Sequence, residues 1–216
     1  MNLIYAIPGL GTTGDLFKFV KIENTRLVVL EWPSLDRNET MQSLAVKMLA
    51  QIDQSGPFYL MGVSLGGMVC TEIALIRKPV KTILISSACC KKQLPFFLRV
   101  LKYIPLNKLV SEKQYRKIAK SSRKLLGFKP EYLEQFHAMI KAMKPYHFSR
   151  AIQCLISWSR GECPSKDLIR IHGDADRLLK FREADTDYRI DRGSHAIIID
   201  RANEINSILN KIINNQ

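Results

Sequence analysis

The sequence predicts an α/β protein: a mostly parallel sheet of about six strands flanked by helices, with an α-helical cap inserted after the fourth strand. Two observations predict this fold. Short apolar runs alternate with helical stretches in the first 90 residues and again after residue 160, which is typical of β–α units around a parallel sheet. Between these parts, residues 91–160 show helical periodicity without a clear strand. The 216 residues fit one domain that carries a moderate insertion.

Six short segments are predicted to be strands. Most of them are continuously apolar, which indicates burial on both faces of a sheet covered by helices. The first run ends at Pro8-Gly9, and Gly56-Pro57 separates the first helix from the third strand. The predicted strands are 3–7, 27–30, 58–61, 82–85, 168–171 and 187–190.

Helical periodicity divides the chain into a core and an insertion. Helices at 40–54, 66–77 and 201–213 belong to the core, which comprises residues 1–90 and 161–216. The cap, residues 91–160, contains helices predicted at 94–103, 111–125, 130–142 and 147–160. An insertion after the fourth strand would lie at the carboxyl edge of the sheet, where open α/β sheets bind their ligands.

The positive charge is concentrated in the predicted cap. The whole chain has a formal charge of +13, and residues 91–150 contain fifteen Lys and Arg against three acids, Glu112, Glu131 and Glu134. A basic surface favours an anionic substrate, an acidic carrier protein or an anionic membrane surface. A solvated basic face without a dedicated partner is the alternative. We expect no nucleic-acid binding, since no recognised motif accompanies the charge.

The first cap helix is unusually apolar. We expect its apolar side chains to pack in the core of the cap or to line a substrate entrance, rather than to bind a membrane. These residues are Phe96, Phe97, Leu98, Val100, Leu101, Tyr103 and Ile104.

The cysteines and the apolar runs predict a cytoplasmic protein. The five cysteines are odd in number, and their spacing matches no zinc or disulfide framework. Free thiols in a reducing compartment are therefore expected. No apolar run approaches the length of about 18 residues that a transmembrane helix needs. Residues 1–7 are apolar but lack the basic flank of a signal peptide.

The segment Gly62-Val63-Ser64-Leu65-Gly66 carries the strongest chemical signal. It has the form G-x-S-x-G and lies where a predicted strand ends and a helix begins. Such a sharp turn strains the central residue and needs small flanking residues, because strand and helix approach closely there. The helix N-terminus favours developing negative charge. Ser64 is therefore the predicted nucleophile, the alternative being a plain glycine-rich turn.

A serine hydroxyl needs a general base, and the base needs an orienting acid. His195 lies between the last strand and the last helix, where a loop can place it over Ser64. Asp174 and Asp176 both follow the fifth strand, which gives the chain order nucleophile, acid, base. Asp174 can alternatively bond local backbone in the turn. We interpret the remaining histidines, His137, His147 and His172, as surface or structural residues.

Two backbone N–H groups are candidates for an oxyanion hole. One belongs to Leu65, directly after the nucleophile. The other belongs to Leu10, in the loop Pro8-Gly9-Leu10-Gly11 after the first strand, whose glycines let backbone amides face the site. An ordinary glycine-rich turn is the alternative interpretation of this loop.

Together these four motifs resemble the α/β-hydrolase superfamily, from about residue 2 to 213 except for the insertion. The resemblance implies Asp176 as the acid, three residues after Gly173, and Leu10 and Leu65 as the oxyanion donors. It also implies a cap or lid at the insertion. The chain has Pro8-Gly9 where this family often has His-Gly. Ser64 distinguishes it from dehalogenases and epoxide hydrolases of this fold, which use Asp, and from dienelactone hydrolases, which use Cys.

The expected function is hydrolysis of a carboxylic ester or thioester of a small acyl substrate through an acyl-enzyme on Ser64. Asp176 and His195 complete the expected catalytic triad, and neither a metal nor an organic cofactor is expected. An acyltransferase of the same fold is one alternative. A non-catalytic binding or regulatory member is another, because a fold does not guarantee chemistry.

Overall fold

Six parallel strands form one sheet at the centre of the molecule, in the order β2-β1-β3-β4-β5-β6. The computed structural model describes residues 1–104, 109–164 and 167–214. The sheet confirms the predicted fold class. Its strands are β1 (Asn2–Ile7), β2 (Thr25–Val29), β3 (Tyr59–Val63), β4 (Thr82–Ile85), β5 (Leu168–Gly173) and β6 (Tyr188–Ile190).

Helices flank the sheet and occupy the stretch between β4 and β5. Two 3-10 turns in the core connect its elements, at Gly14–Phe17 and Glu183–Asp185, and another begins the next stretch just after β4, at Lys91–Gln93. The described α-helices are α1 (Met41–Leu49), α2 (Leu65–Ile76), α3 (Phe96–Val100), α4 (Glu112–Ser121), α5 (Arg123–Leu126), α6 (Leu133–Ala142), α7 (His147–Ser157), α8 (Ile197–Asp200) and α9 (Ala202–Asn214).

The central strands are buried on both faces, as their apolar sequences predict. Every residue of β3 and β4 is buried. Helix α2 contacts β1, β3 and β4, and α1 packs on α2. Burial of this apolar surface is the main free-energy term that holds the sheet and its helices together. The register aligns Val63 with Ile85, and Ile85 with Ile171, so three strands end at nearly the same level.

Two predicted helices differ from the observed ones for local reasons. The helix expected at 40–54 ends at Leu49, because the next amides tighten to i→i−3 bonds: Gln51 donates to the Met48 carbonyl and Ile52 to the Leu49 carbonyl. The helix expected at 94–103 begins only after Pro95. Proline lacks an N–H and disfavours helical geometry in the residue before it, so α3 cannot extend further back.

We use the term helical segment for residues 91–160. Its described residues form helices and turns without a strand, as the sequence predicts. The segment is tied to the core by Glu72 of α2, whose carboxylate accepts hydrogen bonds of 2.7 Å from the Trp158 indole and the Arg160 guanidinium. Its division from the core as a separate cap stays a prediction. No helix within 1–104, 109–164 or 167–214 is long and apolar enough to cross a bilayer.

The expectation of free thiols is wrong for two of the five cysteines. Cys89, just after β4, and Cys163, just before β5, form a disulfide across 74 residues of sequence. Cys70, Cys90 and Cys154 are buried free thiols. The spacing gave no indication of this pairing, because it arises where the chain leaves the sheet and returns to it. A cytoplasmic location stays a prediction, and disulfides are more typical of oxidising compartments.

Candidate active site

Ser64 occupies a strained turn between β3 and α2, with φ of 52° and ψ of −119°. The flanking glycines are required sterically. A Cβ on Gly62 would lie 2.5 Å from the Gly66 carbonyl carbon, and a Cβ on Gly66 would lie 2.2 Å from the Ile7 carbonyl oxygen. The G-x-S-x-G segment therefore forms the sharp strand-to-helix turn that its sequence predicts.

Backbone and side-chain hydrogen bonds hold this turn. The Ser64 amide donates to the Ile85 carbonyl at 3.0 Å, which extends the β3–β4 pairing by one residue. The Ser87 hydroxyl donates to the Ser64 carbonyl at 2.6 Å. Sequence reasoning missed Ser87, since a serine after a strand carries no distinguishing signal. Its contact fixes the backbone of the candidate nucleophile from the neighbouring strand.

Asp176 and His195 meet through a short hydrogen bond. Oδ2 of Asp176 lies 2.7 Å from Nδ1 of His195, and both side chains are buried. The other carboxylate oxygen accepts hydrogen bonds from the Leu178 and Leu179 amides at 2.8 and 2.9 Å. These contacts fix the orientation of the imidazole and direct Nε2, its remaining nitrogen, away from the carboxylate.

The Asp176 carboxylate is held in its charged form. Burial alone would raise its pKa, but hydrogen bonds from His172 and His195 outweigh burial and hold the pKa well below its usual value. The two backbone amides at Oδ1 add to this stabilisation. The acid is therefore ionised at any pH where a neutral histidine could act as a base.

The structure distinguishes Asp176 from Asp174. The Asp174 carboxylate pairs with the Arg189 guanidinium, with Nη2 at 2.7 Å and Nε at 2.9 Å. The sequence predicted that the Asp174 side chain bonds local backbone in the turn, whereas the structure shows this ion pair instead. Asp174 is thus occupied elsewhere, and Asp176 is the aspartate that contacts His195.

His172, which the sequence indicated as a surface or structural residue, is buried and hydrogen-bonded next to Asp176. Its Nε2 lies 2.8 Å from the Leu179 carbonyl oxygen and 3.1 Å from Oδ2 of Asp176. One Nε2–H group therefore faces two acceptors. The signal that could have revealed this is its spacing of four residues from Asp176, across the turn that ends β5.

The other two histidines lie elsewhere. His137 is exposed on α6. His147, at the start of α7, is buried with neither ring nitrogen hydrogen-bonded. Burial, followed by the nearby charges of Arg116 and Lys144, lowers the pKa of His147 to about 4. It is a neutral residue within the helical segment at ordinary pH.

Ser64 and His195 line the same cavity, which has a volume of about 400 Å³. Gly9, Leu10 and Leu65 line it as well, so the two backbone segments predicted to form an oxyanion hole border the space next to Ser64. The loop after β1 is fixed by Thr12, whose amide and hydroxyl both donate to the Gly9 carbonyl, at 3.1 and 2.9 Å.

Apolar side chains form most of the cavity wall. No Lys, Arg, Asp or Glu among the described residues lines it. The volume is within the range of about 300–1,000 Å³ that is usual for small-molecule pockets. The helical segment supplies much of the wall, through Leu98, Leu101, Val110, Tyr115, Ile118, Ala119, Ser122, Leu125, Leu126, Phe128, Phe136, Ile140, Phe148, Ile152 and Leu155.

A second cluster of reactive side chains is formed by cysteines. The sulfur atoms of Cys89, Cys90 and Cys163 lie within 4.8 Å of one another, close enough to share a metal ion. Two of them are joined in the disulfide. A metal ligand must be a free thiolate, so the oxidised pair cannot provide two of the ligands.

The architecture and this site define the α/β-hydrolase fold, and comparison with solved structures agrees. The chain is similar to an esterase from Thermogutta terrifontis, with a TM-score of 0.80 and 15% identity over 100% of this chain and 90% of that one. It is similar to an esterase from Exiguobacterium antarcticum, with a TM-score of 0.76 and 13% identity over 97% and 90%. A hydrolase from Pseudomonas aeruginosa gives a TM-score of 0.74 and 15% identity over 95% and 87%.

The agreement is one of fold rather than of sequence. No protein-family model matches the chain, and no curated protein matches it. At 13–15% identity, the solved structures confirm the α/β-hydrolase fold that the sequence motifs resemble. What the chain does must be argued from its own site.

Proposed function

We propose that this protein is a serine hydrolase that cleaves a carboxylic ester or thioester through an acyl-enzyme on Ser64. The observation that carries the proposal is the 2.7 Å contact between Asp176 and His195 beside a cavity that His195 shares with Ser64. Esterases among the structures of similar fold support the same reaction class.

Each residue has a defined role in this mechanism. His195 Nε2 takes the proton as Ser64 Oγ attacks the carbonyl carbon, and Asp176 stabilises the resulting imidazolium. The amides of Leu10 and Leu65 bind the oxyanion. The tetrahedral intermediate then collapses, and His195 returns the proton to the departing alcohol or thiol. Water, deprotonated by the same imidazole, attacks the acyl-enzyme, and His195 then gives that proton to Ser64 Oγ as the bond to the acyl group breaks and the acid leaves.

The cavity wall supports a neutral, hydrocarbon-rich acyl group. Burial of such a chain releases about 25 cal/mol for each Å² of apolar surface removed from water. The wall offers no cationic side chain among the described residues to pair with a charged acyl group. If the substrate is anionic, as the basic charge suggests, its charge therefore belongs to the leaving group outside the cavity. The helical segment acts in this proposal as the cap over the acyl site.

A fluorophosphonate probe tests the nucleophile directly. It should label the wild-type protein on Ser64, as shown by peptide mass spectrometry, and should not label the Ser64→Ala variant. Turnover of an ester should fall on the order of 10⁴-fold or more in that variant. Full turnover by the variant, or labelling of another residue, would refute the proposal.

A panel of p-nitrophenyl esters and matched thioesters of graded chain length tests the substrate class. We expect kcat/KM to rise from acetate to medium chains and to be lower for acyl groups that end in a carboxylate. Adding primary alcohols as acceptors separates hydrolysis from acyl transfer. Formation of the transesterified product in preference to the free acid would favour the acyltransferase alternative.

A further inference from the structure

We propose that the outer surface of the helical segment docks on an anionic lipid bilayer, with the mouth of the cavity facing the membrane. The docking surface comprises α3, the following turn and helices α4 and α5. The inference goes beyond the proposed hydrolysis, because docking requires no chemistry at Ser64.

Exposed apolar side chains mark this surface. Phe96 is 71% exposed and Tyr103 is 76% exposed, contrary to the expectation that the apolar residues of this stretch pack within the segment or line an entrance. Phe97, Val100 and Ile104 are exposed as well. Large exposed aromatic side chains that cluster in one short stretch typically mark an interaction site.

The same stretch contributes to the cavity. Leu98 and Leu101 line the cavity, whereas their neighbours Phe97 and Val100 face solvent. This short helix and turn thus has an inner face toward the candidate acyl site and an outer face that is exposed to solvent. A partner that binds the outer face of this amphipathic element would therefore lie next to the cavity.

Helices α4 and α5 bring the apolar rim and the positive charge together. Ile118 is 59% exposed and Leu125 is 42% exposed, yet both line the cavity, so they lie at its mouth. Exposed lysines adjoin both of them in the sequence: Lys117 and Lys120 near Ile118, and Lys124 next to Leu125. The rim of the mouth is therefore apolar and flanked by cations.

In the part of the chain that the structure describes, no salt bridge neutralises Lys117, Lys120 or Lys124 at this rim. Residues 113–130 contain seven Lys and Arg and no acid. Glu112, just before them, is used internally: its carboxylate accepts hydrogen bonds from the Phe148 and Ser149 amides and lies 3.6 Å from Arg116. Anionic headgroups would complement the remaining cations near the membrane surface.

The combination of features favours a bilayer over an acidic protein. An acidic carrier would be complementary to the lysines but would leave Phe96 and Tyr103 in water. A bilayer interface accepts both features, since aromatic side chains insert at headgroup depth while lysines contact the phosphates. An acyl chain leaving the membrane would then meet an apolar path through the mouth to Ser64.

Vesicle flotation tests this inference with the purified full-length protein. The Ser64→Ala variant is used, so that binding is measured without turnover. We expect binding to phosphatidylcholine vesicles containing 30–40% phosphatidylglycerol (roughly the anionic content that gives a strong negative surface potential), weak binding to pure phosphatidylcholine, and a decrease as salt rises.

Two variant pairs with matched controls locate the surface. Lys117→Glu with Lys120→Glu should weaken binding about tenfold or more, whereas Lys21→Glu with Lys211→Glu, the same charge change on exposed core lysines, should retain most of it. Phe96→Ser with Phe97→Ser should also weaken binding. Leu75→Ser with Ile76→Ser, exposed apolar residues of α2, is the control.

Each outcome decides the matter. Loss of binding in the two helical-segment pairs alone supports the docking surface. Equal binding to neutral and anionic vesicles, equal loss in the core controls, or no binding to anionic vesicles would overturn it, and in the last case tight binding to an acidic carrier protein would identify the alternative partner. The same surface substitutions are also made in the protein with Ser64 intact. If these variants still react with the fluorophosphonate probe, a loss of vesicle binding leaves the proposed hydrolase function standing.

Discussion

The Nε2 atom of His172 lies 3.1 Å from Oδ2 of Asp176, the same oxygen that His195 Nδ1 contacts at 2.7 Å. One buried carboxylate oxygen therefore serves two imidazoles. His172 does not line the cavity, so it acts as a positioning residue for the acid rather than as a group that touches substrate.

The first prediction concerns that positioning role. His172→Phe removes one hydrogen bond to the carboxylate, so kcat should fall about ten- to hundredfold, which corresponds to the roughly 1.5–3 kcal/mol of a hydrogen bond to a charged group. KM should change less than twofold, because the cavity wall is intact. Steady-state kinetics measure the changes in kcat and KM separately. His137→Phe, on an exposed helix surface, is the control. A rise in KM without a fall in kcat would contradict the assignment.

The second prediction separates the two aspartates. Asp176→Asn should lower kcat on the order of 10⁴-fold, because an amide would present the wrong partner to His195 Nδ1. Asp174→Asn should keep activity within about threefold, since Asp174 pairs with Arg189. Ester hydrolysis by both purified variants measures this, and a greater loss in the Asp174 variant would reverse the assignment.

The ionised Asp176 also makes stability depend on acid pH. The pKa of its carboxyl lies well below the ordinary aspartate value of 3.8 in the folded protein, so its contribution to stability is fully present above about pH 5 and is lost as pH falls through 3.8 toward the folded value. Urea unfolding of the wild type and Asp176→Asn at several pH values should show their stabilities converging at the most acidic values. A constant difference would contradict this linkage.

The third prediction concerns His147. Its pKa falls from 6.5 to about 4 in the folded protein, so between these pH values only the unfolded chain binds the proton. Stability should therefore decrease by about 3 kcal/mol as pH falls from 6.5 to 4, and this dependence should be absent above pH 6.5. Replacing the residue in His147→Leu should flatten the curve, whereas His137→Leu should leave it unchanged.

The fourth prediction tests the tight turn at the nucleophile. Gly66→Ala places a Cβ 2.2 Å from the Ile7 carbonyl oxygen, so it should cost about 3 kcal/mol of stability and most of the activity. Gly56→Ala, at a position with no atom within 4 Å of the new Cβ, is the matched control and should have little effect. Thermal unfolding and ester hydrolysis measure both. Equal behaviour of the two variants would contradict the geometry.

The fifth prediction concerns the disulfide. Cross-linking residues 74 apart should stabilise the oxidised protein by about 4 kcal/mol in the chain-entropy model. Reductant should therefore lower the urea midpoint of the wild type but not that of the Cys89→Ala, Cys163→Ala double variant. Alkylation of the unfolded, unreduced protein followed by mass spectrometry should modify three cysteines. Modification of all five would show that the pair is reduced.

Much of the site was predictable because its parts are local in sequence. A strand, a G-x-S-x-G turn and a helix lie within about 20 residues, and the spacing of this motif predicts the steric need for Gly62 and Gly66 that the structure shows. The acid and base loops follow strands of the same parallel sheet, so their carboxyl ends had to meet at one edge.

Other features could not be predicted because they depend on distant parts of the chain. The pairing of Cys89 with Cys163 needs the two ends of the helical segment to converge. The second imidazole at Asp176 depends on how the turn after β5 folds. The exposure of Phe96 and Tyr103 reverses the ordinary expectation that aromatic residues are buried, and no periodicity in so short a stretch determines which face meets water.

The two ends of the helical segment leave the sheet side by side: the Lys91 amide donates to the Arg160 carbonyl at 2.9 Å, and the Cα atoms of Cys89 and Cys163 are 5.0 Å apart. A gap this small can be bridged by a tight turn, so the intervening residues can be exchanged as a cassette without changing the register of any strand. Sequence changes in this stretch can therefore alter the wall of the cavity while the loops that carry Ser64, Asp176 and His195 keep their places.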